Sequence, residues 1–312
     1  MKLAAGDSGI AKLEWQTLGL IAISYALWLI LLLLGHTIHP AIWIVTSALN
    51  LTLFMSITHE VVHGHPTRNS TLNSLLILLP IGWSLPYERF RDTHLNHHVT
   101  GELTDPFDDP ESWYLARHDW LESKAVTRSI LVFNNTLLGR MMIGPLIGLG
   151  RFYVGEISHM LFSSGDRAYL LMVWAKHFVL SGFVFWIISA FSDVPLWQWL
   201  TSIYLGHSFL LVRTFLEHQA APDSSERTVI IEQACPIAFL FLFNNYHFVH
   251  HDKPHIPWYR LPAEFRARRE AYITENGAYV YSSYSDIFRR YFLKSKEPVQ
   301  HPFLRMGGEG RS

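Results

Sequence analysis

Residues 17–34 (TLGLIAISYALWLILLLL) form an apolar run without a charge, and at ~1.5 Å per residue a helix of that length reaches across ~30 Å of hydrocarbon. A turn at Gly35-His36-Thr37-Ile38-His39-Pro40 leads into a second apolar run, 41–57, which ends just before His59. Two more runs, 168–191 and 195–216, are joined by Ser192-Asp193-Val194-Pro195, and the last ends at Glu217-His218. Between the second and third runs lies a long polar stretch broken by Pro, Gly and Asp, which reads as short helices and loops. Two apolar patches within it, 71–85 and 137–154, are interrupted by Pro80, Gly82, Gly144, Pro145 and Gly148 and suit re-entrant or interfacial helices better than crossings. The pattern predicts an all-α integral membrane protein with about four transmembrane helices and a cytosolic helical cap. It reads as one domain over 1–296, with 297–312 a disordered tail.

Composition agrees with a membrane protein: 49% of the 312 residues are hydrophobic, 14% aromatic and 16% charged. A formal net charge of -1 offers no basic excess to neutralise phosphates, so a nucleic-acid partner is not expected. Cys235 is the single cysteine, which excludes an internal disulfide, a zinc ribbon and a cysteine-held iron–sulfur centre. The first sixteen residues carry both charge signs and no small-residue cleavage site, so the first run reads as a retained anchor. Neither short loop between paired spans contains Lys or Arg; the N-terminus, the long middle segment and the C-terminal region hold all of them except Lys176 and Arg213. The positive-inside rule then places both termini and the middle segment in the cytoplasm.

That same side carries three histidine clusters: His59 with His63, His94 with His97 and His98, and His247 with His250 and His251. Residues three and four apart share a helix face, so each cluster can aim its imidazoles at one place. His218, just beyond the fourth span, stands at the same depth as a ninth candidate ligand. Imidazole sets of this kind suit iron, copper, zinc or nickel, and eight or nine rings exceed what one four-coordinate zinc uses, which points to two ions. Glu60, Asp92, Asn96, Asp105, Asn244, Asn245 and Asp252 are candidates to orient the free ring nitrogens. His36, His39, His65, His118, His159, His177, His255 and His301 read as ordinary structural histidines.

The order HEVVH, HLNHH and HFVHH, separated by spans and followed by KPHIPWYRLP, resembles the membrane fatty acid desaturase and hydroxylase family over roughly residues 15–265. The resemblance implies a non-haem centre of two iron ions that activates O2. It also implies electrons from a ferredoxin or cytochrome and C–H cleavage on an unreactive chain. It further implies that His59, His63, His94, His97, His98, His247, His250 and His251 are ligands and that His218 is the additional one. Thr214 stands where the acyl-CoA desaturases carry an Asn that assists the metal, and the first box is one residue shorter than theirs. No fused cytochrome or ferredoxin segment is visible, so a separate electron donor is expected.

A lipid or acyl substrate is expected to enter from the bilayer. Trp174, Phe178, Phe183, Trp186, Trp197, Trp199, Tyr204 and Phe209 are candidate lining residues, as are His207 and Thr214. A charge in mid-span costs ~2.5–3.5 kcal/mol on insertion scales, so Lys176 and Arg213 need an explanation. Arg213 can meet Glu217 one turn on, whereas Lys176 either snorkels or contacts a substrate head group. Desaturation is the leading expectation and hydroxylation the alternative. A remote rival reads HEVVH as the HExxH of a zinc metalloprotease with Glu60 as base, which leaves both HxxHH clusters idle. A metal transporter would need its ligands near mid-membrane.

Overall fold

The computed structural model describes residues 13–99, 101–162 and 165–303. The first hairpin consists of α1 (Trp15–Leu34) and α2 (Pro40–Val62), joined by a 3-10 turn at Gly35–Thr37. Pro40 opens α2, where a missing N–H is harmless, and a side chain at Gly35 would strike Trp43. The middle segment comprises α3 (Ser70–Leu76), α4 (Tyr87–Val99), α5 (Arg117–Glu122), α6 (Ala125–Asn134) and α7 (Leu137–Phe162). The second hairpin is α8 (Arg167–Phe191) and α9 (Leu196–Thr214).

Among the described residues three helices, α1 with its following turn, α2 and α8, are long and apolar enough to cross a bilayer. Expected as the fourth crossing, α9 is a 19-residue helix diluted by Gln198, Ser202, His207 and Arg213, and it does not qualify by length and composition alone. The fourth candidate is instead α6 with α7, a pair bent by 115°. The stretch 137–154, expected to be interrupted, belongs to a continuous 26-residue helix that contains Pro145. Its entry bend needs Gly139, because a Cβ there would lie 1.8 Å from Phe133 O, and Thr136 Oγ1 caps the new helix by accepting from Gly139 N at 3.0 Å.

Besides a buried apolar core, small and hydroxyl side chains tie the bundle together. α9 packs closely on α2, where a Cβ at Gly206 would come within 3.2 Å of Ala48 O. Thr52 Oγ1 donates to Gly206 O at 3.0 Å, and Ser47 and Ser202 bond at 3.1 Å. Asn50 joins α2 to α1 by accepting from Ser24 Oγ and donating to Ser24 O, both at 3.0 Å. Trp28, Trp43 and Trp199 pack edge to face near the start of α2, ~24 Å by helical rise from His59 at its far end.

After α9 the chain forms a cap of short helices: α10 (Pro236–Leu240), α11 (His247–Asp252), α12 (Leu261–Ala267), α13 (Arg269–Glu275) and α14 (Tyr284–Tyr291). It is pinned by a parallel pair, β1 (Ile230–Ile231) with β2 (Val280–Tyr281), in register Ile230 to Val280. Ile231 N donates to Asn245 O at 2.8 Å and Phe248 N to Val229 O at 3.1 Å, which fixes α11. Residues 297–303, expected as part of a loose tail, lie along residue 115: Leu115 N donates to Val299 O and His301 N to Leu115 O, each at 2.9 Å. The remainder of the expected tail falls outside the described residues.

Replacing Gly206 by Leu forces α9 off α2 and is expected to destabilise the fold by ~1–3 kcal/mol, read as a lower midpoint of thermal unfolding in detergent. An unchanged midpoint would contradict the close approach.

Candidate metal centre

The nine histidines singled out from the sequence meet at one end of the bundle, and they do so as two groups. His59, His63, His94, His98 and His250 form one; His97, His218, His247 and His251 form the other, and within each group the ligand atoms lie within 4.8 Å of one another. The helical spacing explains the division. On α4 the i,i+4 pair His94 and His98 serves the first group, and His97, one residue out of step, serves the second. On α11 the assignment reverses: His247 and His251 serve the second group and His250 the first. The rings of His98 and His251 stack with centroids 4.0 Å apart, so the groups are adjacent.

Ring nitrogens face each other at distances that neutral imidazoles cannot all satisfy. His94 Nε2 lies 3.0 Å from His63 Nε2 and 3.1 Å from His98 Nε2. His218 Nε2 lies 3.0 Å from the Nε2 atoms of both His97 and His247. The other nitrogens of His94 and His97 are already used: His94 Nδ1 is 2.7 Å from Glu111 Oε1, and His97 Nδ1 is 2.7 Å from Asp109 Oδ1. Each carboxylate fixes the proton on Nδ1 and turns the Nε2 lone pair inward. His59 Nε2, His250 Nε2 and His251 Nε2 are buried without a partner among the described residues. Converging lone pairs plus buried unpartnered nitrogens suit metal coordination, so each group fits one ion.

The electrostatics agree. Burial, then the neighbouring rings, pushes His98 down to about 3 and holds His63, His218, His247, His250 and His251 well below the usual histidine range, in the neutral form that binds metal. His97 moves the other way. Burial disfavours its charge, but Glu111, Asp109 and Glu217 outweigh that and raise it to about 9. Glu111, despite burial, is held far below the usual carboxylate range by His97 and His94.

Of the expected orienting residues, Asn244 takes that place: its Oδ1 lies 3.3 Å from His247 Nδ1, and its Nδ2 donates to Glu217 Oε1 at 2.8 Å. The others do not. Glu60 is turned to Trp258 N, from which it accepts at 2.9 Å, and to His65 Nε2 at 3.8 Å. His65 in turn meets Glu14 at 2.7 Å. Asp92 is held by Arg91 and Tyr169, Asp105 closes its own turn onto Phe107 N and Asp108 N, and Asn245 donates to Ile231 O. Asn96 and Asp252 are exposed. Sequence reasoning missed Asp109 and Glu111, which lie in a loop with no period to read, and Glu217, which was assigned only to Arg213; that ion pair is present at 2.9 Å.

The centre opens onto a cavity of about 570 Å³ that His59, His94, Glu111 and His218 line together with His207, Thr214 and Lys176. Lys176 has a partner after all, Glu88 at 2.5 Å. Trp174 is buried and donates to Glu156 at 3.0 Å instead of facing the cavity. Phe178, Phe183, Trp186 and Trp197 are exposed on the helix surfaces, and Trp199 belongs to the tryptophan core.

Helices of membrane length thus close on two imidazole groups, each able to hold a metal ion, beside an adjoining cavity. The family model for fatty acid desaturases matches residues 37–283, and the chain belongs to that family. It is also similar to a beta-carotene ketolase of Paracoccus sp. (strain PC1), 24% identical over 270 residues that cover 78% of this chain and 90% of that one.

Replacing Asp109 by Asn leaves His97 without its anionic partner and is expected to weaken metal retention about 10–100-fold. Competition with a chelator, followed by metal analysis of the protein, checks this; wild-type retention would argue against the assigned role.

Proposed function

We propose that this protein holds two iron ions and uses O2 to oxidise a C–H bond of a membrane-borne hydrocarbon, with desaturation of a lipid acyl chain as the leading reaction. The observation that carries the reading is the pair of inward-facing Nε2 clusters opening onto an apolar-walled cavity. His59, His63, His94, His98 and His250 would hold one ion, and His97, His218, His247 and His251 the other. Asp109, Glu111 and Asn244 would keep the rings in the ligating tautomer. Bound iron would supply the redox chemistry, in which O2 takes two electrons and two protons from the chain and two of each from outside, leaving one double bond and two waters. The cavity wall from α2, α8 and α9 would admit the chain and exclude bulk water.

The Lys and Arg distribution supports a cytoplasmic centre with both termini on that side, accessible to a separate ferredoxin or cytochrome as electron donor. Glu60 speaks against the protease rival, because its carboxylate is engaged by Trp258 N rather than directed at a metal-bound water. The similarity to the carotene ketolase favours a second reading, insertion of one oxygen atom into the same C–H position with release of one water.

Expression with iron, a reductase and a ferredoxin is expected to yield host lipids two hydrogens lighter, or one oxygen heavier on the second reading, by mass spectrometry. His94→Ala or His250→Ala should abolish the new species. Wild-type product from either variant would sink the metal assignment.

A further inference from the structure

Beyond α14 the segment 295–301 runs as a strap from the cap to the histidines. It is first fastened to the bend between α6 and α7, where Ser295 Oγ donates to Val132 O at 3.2 Å, Lys296 N to Asn135 O at 3.1 Å and Asn135 Nδ2 to Glu297 O. Those contacts tie it to the bundle. It then lies along residue 115, bonded from Leu115 N to Val299 O and from His301 N to Leu115 O.

Two of its side chains reach the backbone that carries the second histidine group. Lys296 Nζ donates to His218 O at 2.6 Å, and Glu297, 2.7 Å from the same ammonium and also facing Arg140, balances its charge. His218 lies beyond the end of α9, bridged to Thr228 through Glu217 O and Gln219 N, and among the described residues its own carbonyl is held by Lys296. The second route begins at buried His301. Phe303 N donates to its Nδ1 at 3.3 Å, which leaves the proton on Nε2 for Thr104 Oγ1 at 3.2 Å. Thr104 N donates to Asp109 Oδ2 at 2.8 Å, and Asp109 Oδ1 meets His97 Nδ1 at 2.7 Å. Both routes end on one group, because the Nε2 atoms of His97 and His218 lie 3.0 Å apart within it. In the other group this loop reaches His94, through Glu111, while His59, His63, His98 and His250 have no hydrogen bond to the strap or to Thr104 among the described residues.

A metal site needs its donors held within ~0.5 Å of the productive geometry. We propose that the strap sets that geometry for one ion of the two, with Lys296 positioning His218 through its carbonyl and His301 positioning His97 through Thr104 and Asp109. The inference rests on the two-ion reading above and adds which residues outside the histidine groups hold one ion selectively.

The test is iron retained per chain by the purified full chain during titration with a chelator, with Mössbauer spectra of the same samples and the thermal unfolding midpoint of the metal-free protein. Wild type is expected to retain two irons, one among five rings and one among four. Lys296→Met and Thr104→Val, each close in shape to the residue replaced, should release one iron at about tenfold lower chelator concentration and keep the other, with loss of one spectral component. Lys296→Arg and Thr104→Ser should restore both. Wild-type retention of both irons by Lys296→Met and Thr104→Val overturns the proposal. Parallel loss of both irons at a lowered midpoint, or failure of both variants to fold, also overturns it, since a merely structural strap behaves that way; if one variant fails to fold, the other decides. Wild type without two irons would remove the reading beneath the inference, whereas two irons kept by every variant removes the inference alone.

Discussion

Imidazole nitrogens at one end of this protein are packed against one another with their lone pairs facing. His94 Nε2 meets two other Nε2 atoms at 3.0 and 3.1 Å, and His218 Nε2 meets two more at 3.0 Å. Neutral rings repel in that arrangement. Protonation would relieve it at the cost of buried like charges, and the lowered affinities of His98, His250 and His251 for a proton reflect that cost. Metal ions bound there would relieve it without that cost, and the surrounding structure holds the rings in place for them.

The scaffold meets the demand with rigid elements. α2 extends over 23 residues from the tryptophan core to His59, and α9, locked onto α2 at Gly206, ends where His218 follows. α4 and α11 each contribute three rings, and their shared spacing distributes them so that neither helix belongs to one group alone. Asp109, Glu111 and the Asn244–Glu217 pair then fix ring orientation from outside. Most of the candidate ligands thus sit on helices, with His63 and His218 just beyond helix ends, and Asp109 and Glu111 sit on a loop.

That division also explains what could be read from the chain. Apolar runs and the 3.6-residue period are local signals, so α1, α2, α8 and the three clusters were legible, as was the Arg213–Glu217 pair. Which ring joins which group was not, because helical spacing gives a common face and not the position of a second helix opposite it. Loop carboxylates carry no period, so nothing in the sequence singled out Asp109 and Glu111, which hold His97 and His94. Composition alone does not mark α9 as a span because its polar residues contact α2 and α7 inside the bundle. The continuous α7 was hidden by Pro145 and its glycines, which interrupt the apolar pattern without breaking the helix.

Family membership and the ketolase similarity agree on an oxidoreductase. The central claim is that two irons sit within imidazole donors. Iron X-ray absorption of the purified full chain, with metal quantified per chain, addresses it most directly. The account predicts two irons per chain with the multiple-scattering pattern of several histidine rings and no sulfur neighbour. A single zinc per chain, or iron ligated chiefly by oxygen, would contradict it.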